Sequence, residues 1–483
     1  MKKLLVIIAL TMLFIQPSSA RKMPKAKSSN AGTEYIDASF KVYDALQKNI
    51  HSLAELGYLE YESSECLASH LEEHGFTVER GVADIPNSFI ATFGSGSPVI
   101  GILAEYDALP GMSQDTVAYR KPLKEGAPGH GCGHNLLGAG SAAGAVAISK
   151  WLAEGHSGTV KLFGCPAEEG GGGKAYMTRE GCFDGVDAIL DWHPDICNLV
   201  NTQSGLANVQ MRFVFHGISS HASSAPEKGR SALDAVEAFN YMMNLMREHV
   251  PEGTRIHYVI TDGGKAPNVV PDRAEVLYYL RNAGRDVVAD LKKRALKAAE
   301  GAAMGTGTTM EYEILSGNFE RLYNENFARI LQENLEAVGG VQYDEREMRF
   351  AQDMLAASGI TDMSVLEKPR TVLPLGADYP TLKGVSSDVG NVTWVVPTAS
   401  FRAATFVPAG QGHCWQFTSS GGMTIGTKGI MNVARVLFFT AYDLFTSPEK
   451  LSLIKAEFDS SRPEGYVFEP LIGDRKAPVD YRR

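Results

Sequence analysis

Apolar and polar positions change their period several times along the chain, and each change marks a different kind of element. From Glu34 to Gly75 two helical patterns follow one another, the second ending in LEEHGF, where Gly75 is placed as a helix stop. Short apolar runs then alternate with helix-length ones. NSFIATF and VIGILAEYDAL predict strands, NLLGAGSAAGAVAISKWLAEG predicts a helix closed by Gly155, and TVKLFGC and DAILDWH predict further strands. Strands that alternate with helices imply crossovers, hence an α/β fold with a mixed, mostly parallel sheet flanked by helices.

The rhythm changes between residues 204 and 317. A strand at NVQMRFVFHG, a helix from about Ser231 to His249, strands at RIHYVITDGG and AEVLYYLRN, a helix from Asp286 to about Met304 and a strand at TTMEYEIL give the order β-α-β-β-α-β. That order predicts a ferredoxin-like α+β domain. After it come a strand at ASFRAATFVP and a long helix at TIGTKGIMNVARVLFFTAYDLF. The expected organisation is a catalytic domain (34–203 and 318–447) interrupted by an inserted domain (204–317), with 448–483 as a C-terminal tail.

The first twenty residues have a basic start at Lys2 and Lys3, an apolar run from Leu4 to Ile15, and small residues Ser18 and Ala20 placed for cleavage. This is the pattern of a secretory signal, so export to a periplasm or the medium is expected, with residues 21–33 as a flexible lead. No later segment is apolar enough for a stable membrane span. The net charge of −10, without a basic run beyond the leader, argues against a nucleic-acid partner. Six irregularly spaced cysteines do not make a disulfide framework. The glycine-rich EEGGGGKAY is not a phosphate loop, because Glu168 stands where its first glycine is needed and Ala175 follows Lys174.

The candidate chemistry falls where strands end. Glu105 and Asp107 in LAEYDALPG, Cys132 and His134 in GHGCGHN, Glu168 and Glu169 in CPAEEGGGG, and His193 in LDWHP all sit at or just beyond the ends of predicted strands, where open α/β sheets bind ligands. Thiolate, imidazole and carboxylate converging on one place indicate a metal site. If residues 130–134 are extended, His130, Cys132 and His134 project to one side, and spacing leaves His130 open as a third donor. The adjacent pair Glu168–Glu169 can divide the work, one carboxylate on metal and one free to move protons.

In this order, LAEYDALPG, GHGCGHN, CPAEEGGGGK, DWHP, GISSHA, PNVVP and GHCWQ resemble the aminoacylase/carboxypeptidase family of dinuclear metalloamidases. The similar branch holds hippurate hydrolase and plant auxin-conjugate hydrolases, and within it the B-type chains of p-aminobenzoyl-glutamate hydrolase; Asn135 after His134 is shared with that type. The resemblance covers residues 34–447. It implies that Cys132, His134, Glu169, His193 and His413 hold two divalent ions, zinc or manganese, with Cys132 a bridging candidate. By the same resemblance Glu168 is the general base and acid, Asp107 orients a ligand histidine, and His130 stands behind the ligands. His221 would stabilise the oxyanion across a dimer, and Asn268 and Arg281 would hold the substrate carboxylate. Glu105 stands where other branches carry a metal-binding histidine.

The expected activity is therefore metal-dependent hydrolysis of the amide of N-acyl or N-aroyl amino acids, with p-aminobenzoyl-glutamate as the reference substrate. The expected assembly is a homodimer through the inserted domain, with a distinct partner subunit as a further possibility. Two rival readings are a metallo-dipeptidase or carboxypeptidase on short peptides and a non-catalytic exported protein that binds metal or ligand.

Overall fold

The computed structural model describes residues 25–379 and 384–482. The leader expected at residues 1–20 lies outside them. Eleven strands are described: β1 (Thr77–Arg80), β2 (Phe89–Ser95), β3 (Val99–Ala104), β4 (Gly158–Gly164), β5 (Ala188–Asp195), β6 (Leu199–Val200), β7 (Ala207–His216), β8 (Arg255–Asp262), β9 (Arg273–Asn282), β10 (Thr309–Asn318) and β11 (Thr398–Ala404). They form a seven-stranded sheet in the order β1-β2-β4-β3-β5-β11-β6 and a four-stranded sheet in the order β10-β7-β9-β8.

The four central strands of the larger sheet, β4-β3-β5-β11, are parallel, and antiparallel strands close both edges. Their apolar runs are buried along almost their whole length, as a sheet covered on both faces requires. β2 runs against β4 for a local reason. Only residues 96–98 separate β2 from β3, too few for a crossover, so the chain must reverse.

Helix His134–Leu152 is buried nearly all round, and its run of small residues explains how. A Cβ added at Gly140 would lie 2.7 Å from the Trp192 ring and 3.2 Å from Ile430, and one at Gly144 would lie 2.8 Å from Leu437. Glycine and alanine let helix Thr424–Thr446 approach closely, and the pair anchors the main core. This helix begins at His134, so the packing fixes the direction of a candidate ligand.

The second sheet has the βαββαβ order read from the sequence, all its pairs are antiparallel, and helices Ala232–Met246 and Arg285–Thr306 close a separate core around Phe213, Phe239 and Tyr278. The strand order 4-1-3-2 within the unit is ferredoxin-like.

Two terminal segments differ from expectation. The lead is helical from Lys25, in helices Lys25–Ser28 and Ala31–Ala38. Lys27 is buried and pairs with Asp443 at 2.7 Å while donating to Asn334 at 2.6 Å, partners some 300 residues or more away that no local pattern announces. The stretch from 448 begins with helix Pro448–Ser460, and Leu471 and Ile472 beyond it are buried. Among the described residues no helix is long and apolar enough to cross a membrane, and all six cysteines are free.

Gly140→Val overfills the contact with Trp192 and Ile430 and is expected to cost about 1–3 kcal/mol. Urea unfolding should show a lower midpoint at an unchanged slope.

Candidate active site

Chain geometry brings the strand-end residues together. Glu105 and Asp107 follow β3, the loop carrying Glu168 and Glu169 follows β4, and His193 lies near the end of β5. Cys132 precedes the helix that starts at His134, with Gly133 between them at φ +82°. A side chain at Gly133 would meet the Phe406 ring at 2.4 Å, so glycine is required there on two counts.

Three groups of side chains have ligand atoms all within 4.8 Å of one another: Cys132, His134 and His193; Cys132, Glu169 and His413; and Glu105, His134 and Glu168. Cys132 is common to the first two. Its Sγ lies 3.4 Å from His193 Nε2, and His413 Nε2 lies 3.2 Å from Glu169 Oε1. His413 follows Gly412 and holds φ at +46°, a left-handed backbone that is costly for histidine.

The donors are oriented from behind. Asp107 Oδ1 binds His134 Nδ1 at 2.8 Å, leaving Nε2 free toward the cluster, and Asp107 Oδ2 accepts the Glu169 N–H at 2.9 Å. One buried carboxylate thus aims two of the candidate ligands. Burial opposes ionisation of Asp107, but His134 and the Glu169 N–H hold its carboxyl below the usual range.

His130 departs from the extended geometry that would set it beside Cys132 and His134. Gly133 N–H donates to His130 O at 3.2 Å, so residues 130–133 form a turn. The His130 ring points away, its Nε2 binding Ile50 O at 3.1 Å. Burial, with His51 and His134 nearby, pushes its pKa down to about 3, so the ring is neutral.

Several polar atoms in the centre are buried without hydrogen-bond partners: Glu105 Oε2, His134 Nε2 and Glu169 Oε1. Glu105 Oε2 and His134 Nε2 face each other at 3.2 Å without forming a hydrogen bond. Orphaned N and O atoms beside the Cys132 sulfur are what a cation would satisfy, so the residues fit a metal. Burial and the Glu169 carboxylate push the Cys132 thiol up, and a cation is the agent that would ionise it. Burial, then Glu105 and Glu169, hold the Glu168 carboxyl well above its usual range, where an acid can also return a proton.

Sequence reasoning missed Lys174, whose GGGGK context served only to exclude a phosphate loop. Its side chain is fully buried and binds Glu105 Oε1 at 2.6 Å and Asp388 Oδ1 at 2.8 Å, while its backbone N–H donates to Asp388 Oδ2. Other unpredicted residues hold the loop of Glu168. Ala167 has φ +58° and donates its N–H to the buried Glu60, Tyr58 donates to Gly171 O at 3.0 Å, and Arg482 donates to Glu169 O at 3.0 Å.

Glu105, Cys132, Glu168, Glu169, His193 and His413 line a cavity of about 350 Å³, together with Arg321, Lys368, Tyr379 and Arg402. Arg402 pairs with Asp195 and Arg321 with Asp191. His221, Asn268 and Arg281 lie elsewhere, on the unit of the second sheet. His221 and Asn268 are exposed neighbours, joined through Ala222 N–H to Asn268 O, and Arg281 stacks over Tyr279 at 4.1 Å. None of the three lines the cavity of its own chain.

The sequence profile of peptidase family M20/M25/M40 matches residues 101–376. The chain is also 40% identical, over 85% of its length and 90% of the relative's, to the B-type chain of p-aminobenzoyl-glutamate hydrolase from Escherichia coli K12. The chain belongs to peptidase family M20/M25/M40. As a member it is a hydrolase, with relatives that cleave amide or peptide bonds. It is 27% identical to Xaa-Arg dipeptidase of Mus musculus over 91% of this chain and 94% of that one. A dinuclear metal-binding M20 peptidase of Bacillus subtilis shares the fold, with a TM-score of 0.55 at 18% identity, covering 84% of this chain and 99% of that one.

Lys174→Met strips the cation from between two buried carboxylates and is expected to cost about 3–5 kcal/mol. Denaturant unfolding of the metal-free protein is the measurement that isolates this loss.

Proposed function

We propose that the protein is a dinuclear metal-dependent amidohydrolase that releases an amino acid from N-acyl or N-aroyl conjugates, with p-aminobenzoyl-glutamate-like molecules as substrates. The observation that carries the reading is the sharing of Cys132 between two donor groups, with the Glu168 carboxyl beside them and a member of neither. Cys132, His134 and His193 would hold one ion, and Cys132, Glu169 and His413 the other. Thiolate and imidazole suit zinc, and the carboxylate tolerates manganese. When bound, the two ions supply the positive charge that acidifies water and polarises the scissile carbonyl.

Glu168 takes the proton from the attacking water and returns it to the departing amine nitrogen. Asp107 keeps His134 in the tautomer whose Nε2 faces the site. His221 is prepared as a donor: its Nδ1 accepts from the N–H groups of Ser223 and Ser224 at 3.3 and 3.2 Å, leaving the proton on Nε2 for the tetrahedral oxyanion. Because His221, Asn268 and Arg281 do not line the cavity of their own chain, we infer that His221 reaches the site of a second copy. Asn268 and Arg281 would hold the substrate carboxylate. β8 supports a homodimer, since it is an edge strand with Val259 55% and Ile260 40% exposed. A distinct partner is the alternative, supported by the relative's name, which is that of one subunit of its hydrolase.

A dipeptidase reading is favoured by the similarity to Xaa-Arg dipeptidase. The cavity wall speaks for the first reading. Among the described residues Lys368 is the one lining cation of this wall that makes no ion pair with a lining carboxylate, since Arg321 pairs with Asp191 and Arg402 with Asp195, and it is the group there that would meet a substrate carboxylate. Export rests on residues 1–20 alone, and fractionation of cells expressing the chain with and without them tests it.

Glu168→Gln should keep its metal and lose about 100- to 10,000-fold in kcat on p-aminobenzoyl-glutamate. Cys132→Ser should lose metal on dialysis while its unfolding midpoint, measured metal-free, stays near that of the parent. Full turnover by Glu168→Gln would sink the proposed mechanism.

Catalysis across a dimer has its own test. Glu168→Gln and His221→Ala, each inactive alone, should on mixing and exchange recover about a quarter of the parent activity, as random pairing about a two-fold axis gives. No recovery, with exchange demonstrated, argues against catalysis in trans.

A further inference from the structure

Ala167 precedes the proposed base and sits at φ +58°, a left-handed conformation that a residue with a Cβ enters at a cost. Its methyl group occupies space that two glycines leave to it: a Cβ at Gly57 would lie 3.0 Å from Ala167 Cβ, and one at Gly171 would lie 2.5 Å from it. An extended backbone at this residue would swing Glu168 away from Glu105 and His134, the groups it now approaches. Something must hold the turn.

Glu60 is placed to do so. It is fully buried, and its Oε1 accepts the Ala167 N–H at 2.6 Å while Oε2 accepts from Asn87 Nδ2 at 2.9 Å. The local structure shows why this carboxylate is free for the task. Glu60 is the N-cap of helix Tyr61–Glu73, yet its side chain makes no cap hydrogen bond. Glu55 caps the helix instead, accepting from the N–H groups of Glu62 at 3.2 Å and Ser63 at 2.7 Å. Glu60 is thereby released to reach 107 residues along the chain to the turn before Glu168.

We propose that Glu60 is a positioning residue for hydrolysis, holding Ala167 left-handed so that the Glu168 carboxylate faces the metal donors. The assignment rests on Glu168 being the base. Glu60 touches neither substrate nor the candidate ligands' donor atoms, so its loss lowers kcat through a misplaced base and leaves metal content and KM close to those of the parent. A hydrogen-bond acceptor, rather than the charge itself, is what the turn needs. The amide introduced by Glu60→Gln keeps such an oxygen, and its NH2 group can donate to Asn87 Oδ1, an atom now buried without a partner, once the Asn87 amide turns.

The experiment compares kcat, KM, bound metal and folded fraction in Glu60→Ala, Glu60→Gln, Glu60→Ala/Ala167→Gly and Glu168→Gln. Glu60→Met serves in place of the alanine variant should that one not fold. Glu60→Ala is expected to lose about 10- to 100-fold in kcat, with KM within about threefold and metal retained. Either Glu60→Gln restores most of the rate, or glycine at 167, which adopts positive φ without penalty, recovers about 5- to 30-fold of it. The proposal fails if the apolar variant at 60 turns over at the parent rate while Glu168→Gln is inactive. It fails equally if the loss tracks lost metal or folded protein, or if neither replacement restores any rate. A fully active Glu168→Gln would instead remove the reading on which it rests.

Discussion

The burial of acidic side chains is the constraint around which the rest of this protein is arranged. Glu60, Glu105, Asp107 and Asp388 are all buried within or behind one strand-end cluster that also holds Glu168, Glu169 and Cys132. Carboxylates in such surroundings ionise only if each finds a donor or a cation. Lys174 answers for Glu105 and Asp388, His134 and a backbone N–H answer for Asp107, and a backbone N–H with an asparagine amide answers for Glu60. What these contacts leave unanswered are the atoms that face inward. An M20-type dinuclear centre is the natural complement to that remainder.

The same constraint explains the packing. Parallel strands end together, so their following loops share one rim, and the helix that starts at His134 must lie tightly against the sheet to present its first residue there. Small residues along that helix permit the approach of Thr424–Thr446. Positive φ at Ala167 is tolerated because a buried hydrogen bond to Glu60 and close neighbours hold the chain there. Some of the local backbone cost thus falls at residues that aim functional groups, Ala167 and His413 being two of the six described non-glycine residues with positive φ.

Periodicity made the repeating elements legible. The strands β3, β4, β5 and β11, the βαββαβ order of the second sheet and the two long helices all announce themselves through apolar spacing, and the strand-end donors follow from the sheet. The antiparallel course of β2 and the helical lead around Lys27 depend on loop length and on partners hundreds of residues away. His130 shows the limit of spacing arguments, since a turn at Gly133 sends its ring away from Cys132 and His134. His413 came only through the family resemblance, because no local pattern links it to His193. Lys174, Glu60 and Arg482 carried no signal: a buried lysine, a glutamate next to a helix start and a terminal arginine acquire meaning only from what the fold sets beside them.

The central claim is that Cys132 is common to two metal sites, and manganese gives the most direct measurement of it. The metal-free protein should bind two equivalents, and at two equivalents its electron paramagnetic resonance spectrum should be that of a spin-coupled pair, a coupling that a shared ligand transmits. Saturation at one equivalent, or the additive spectrum of two independent ions in the parent protein, would contradict the account.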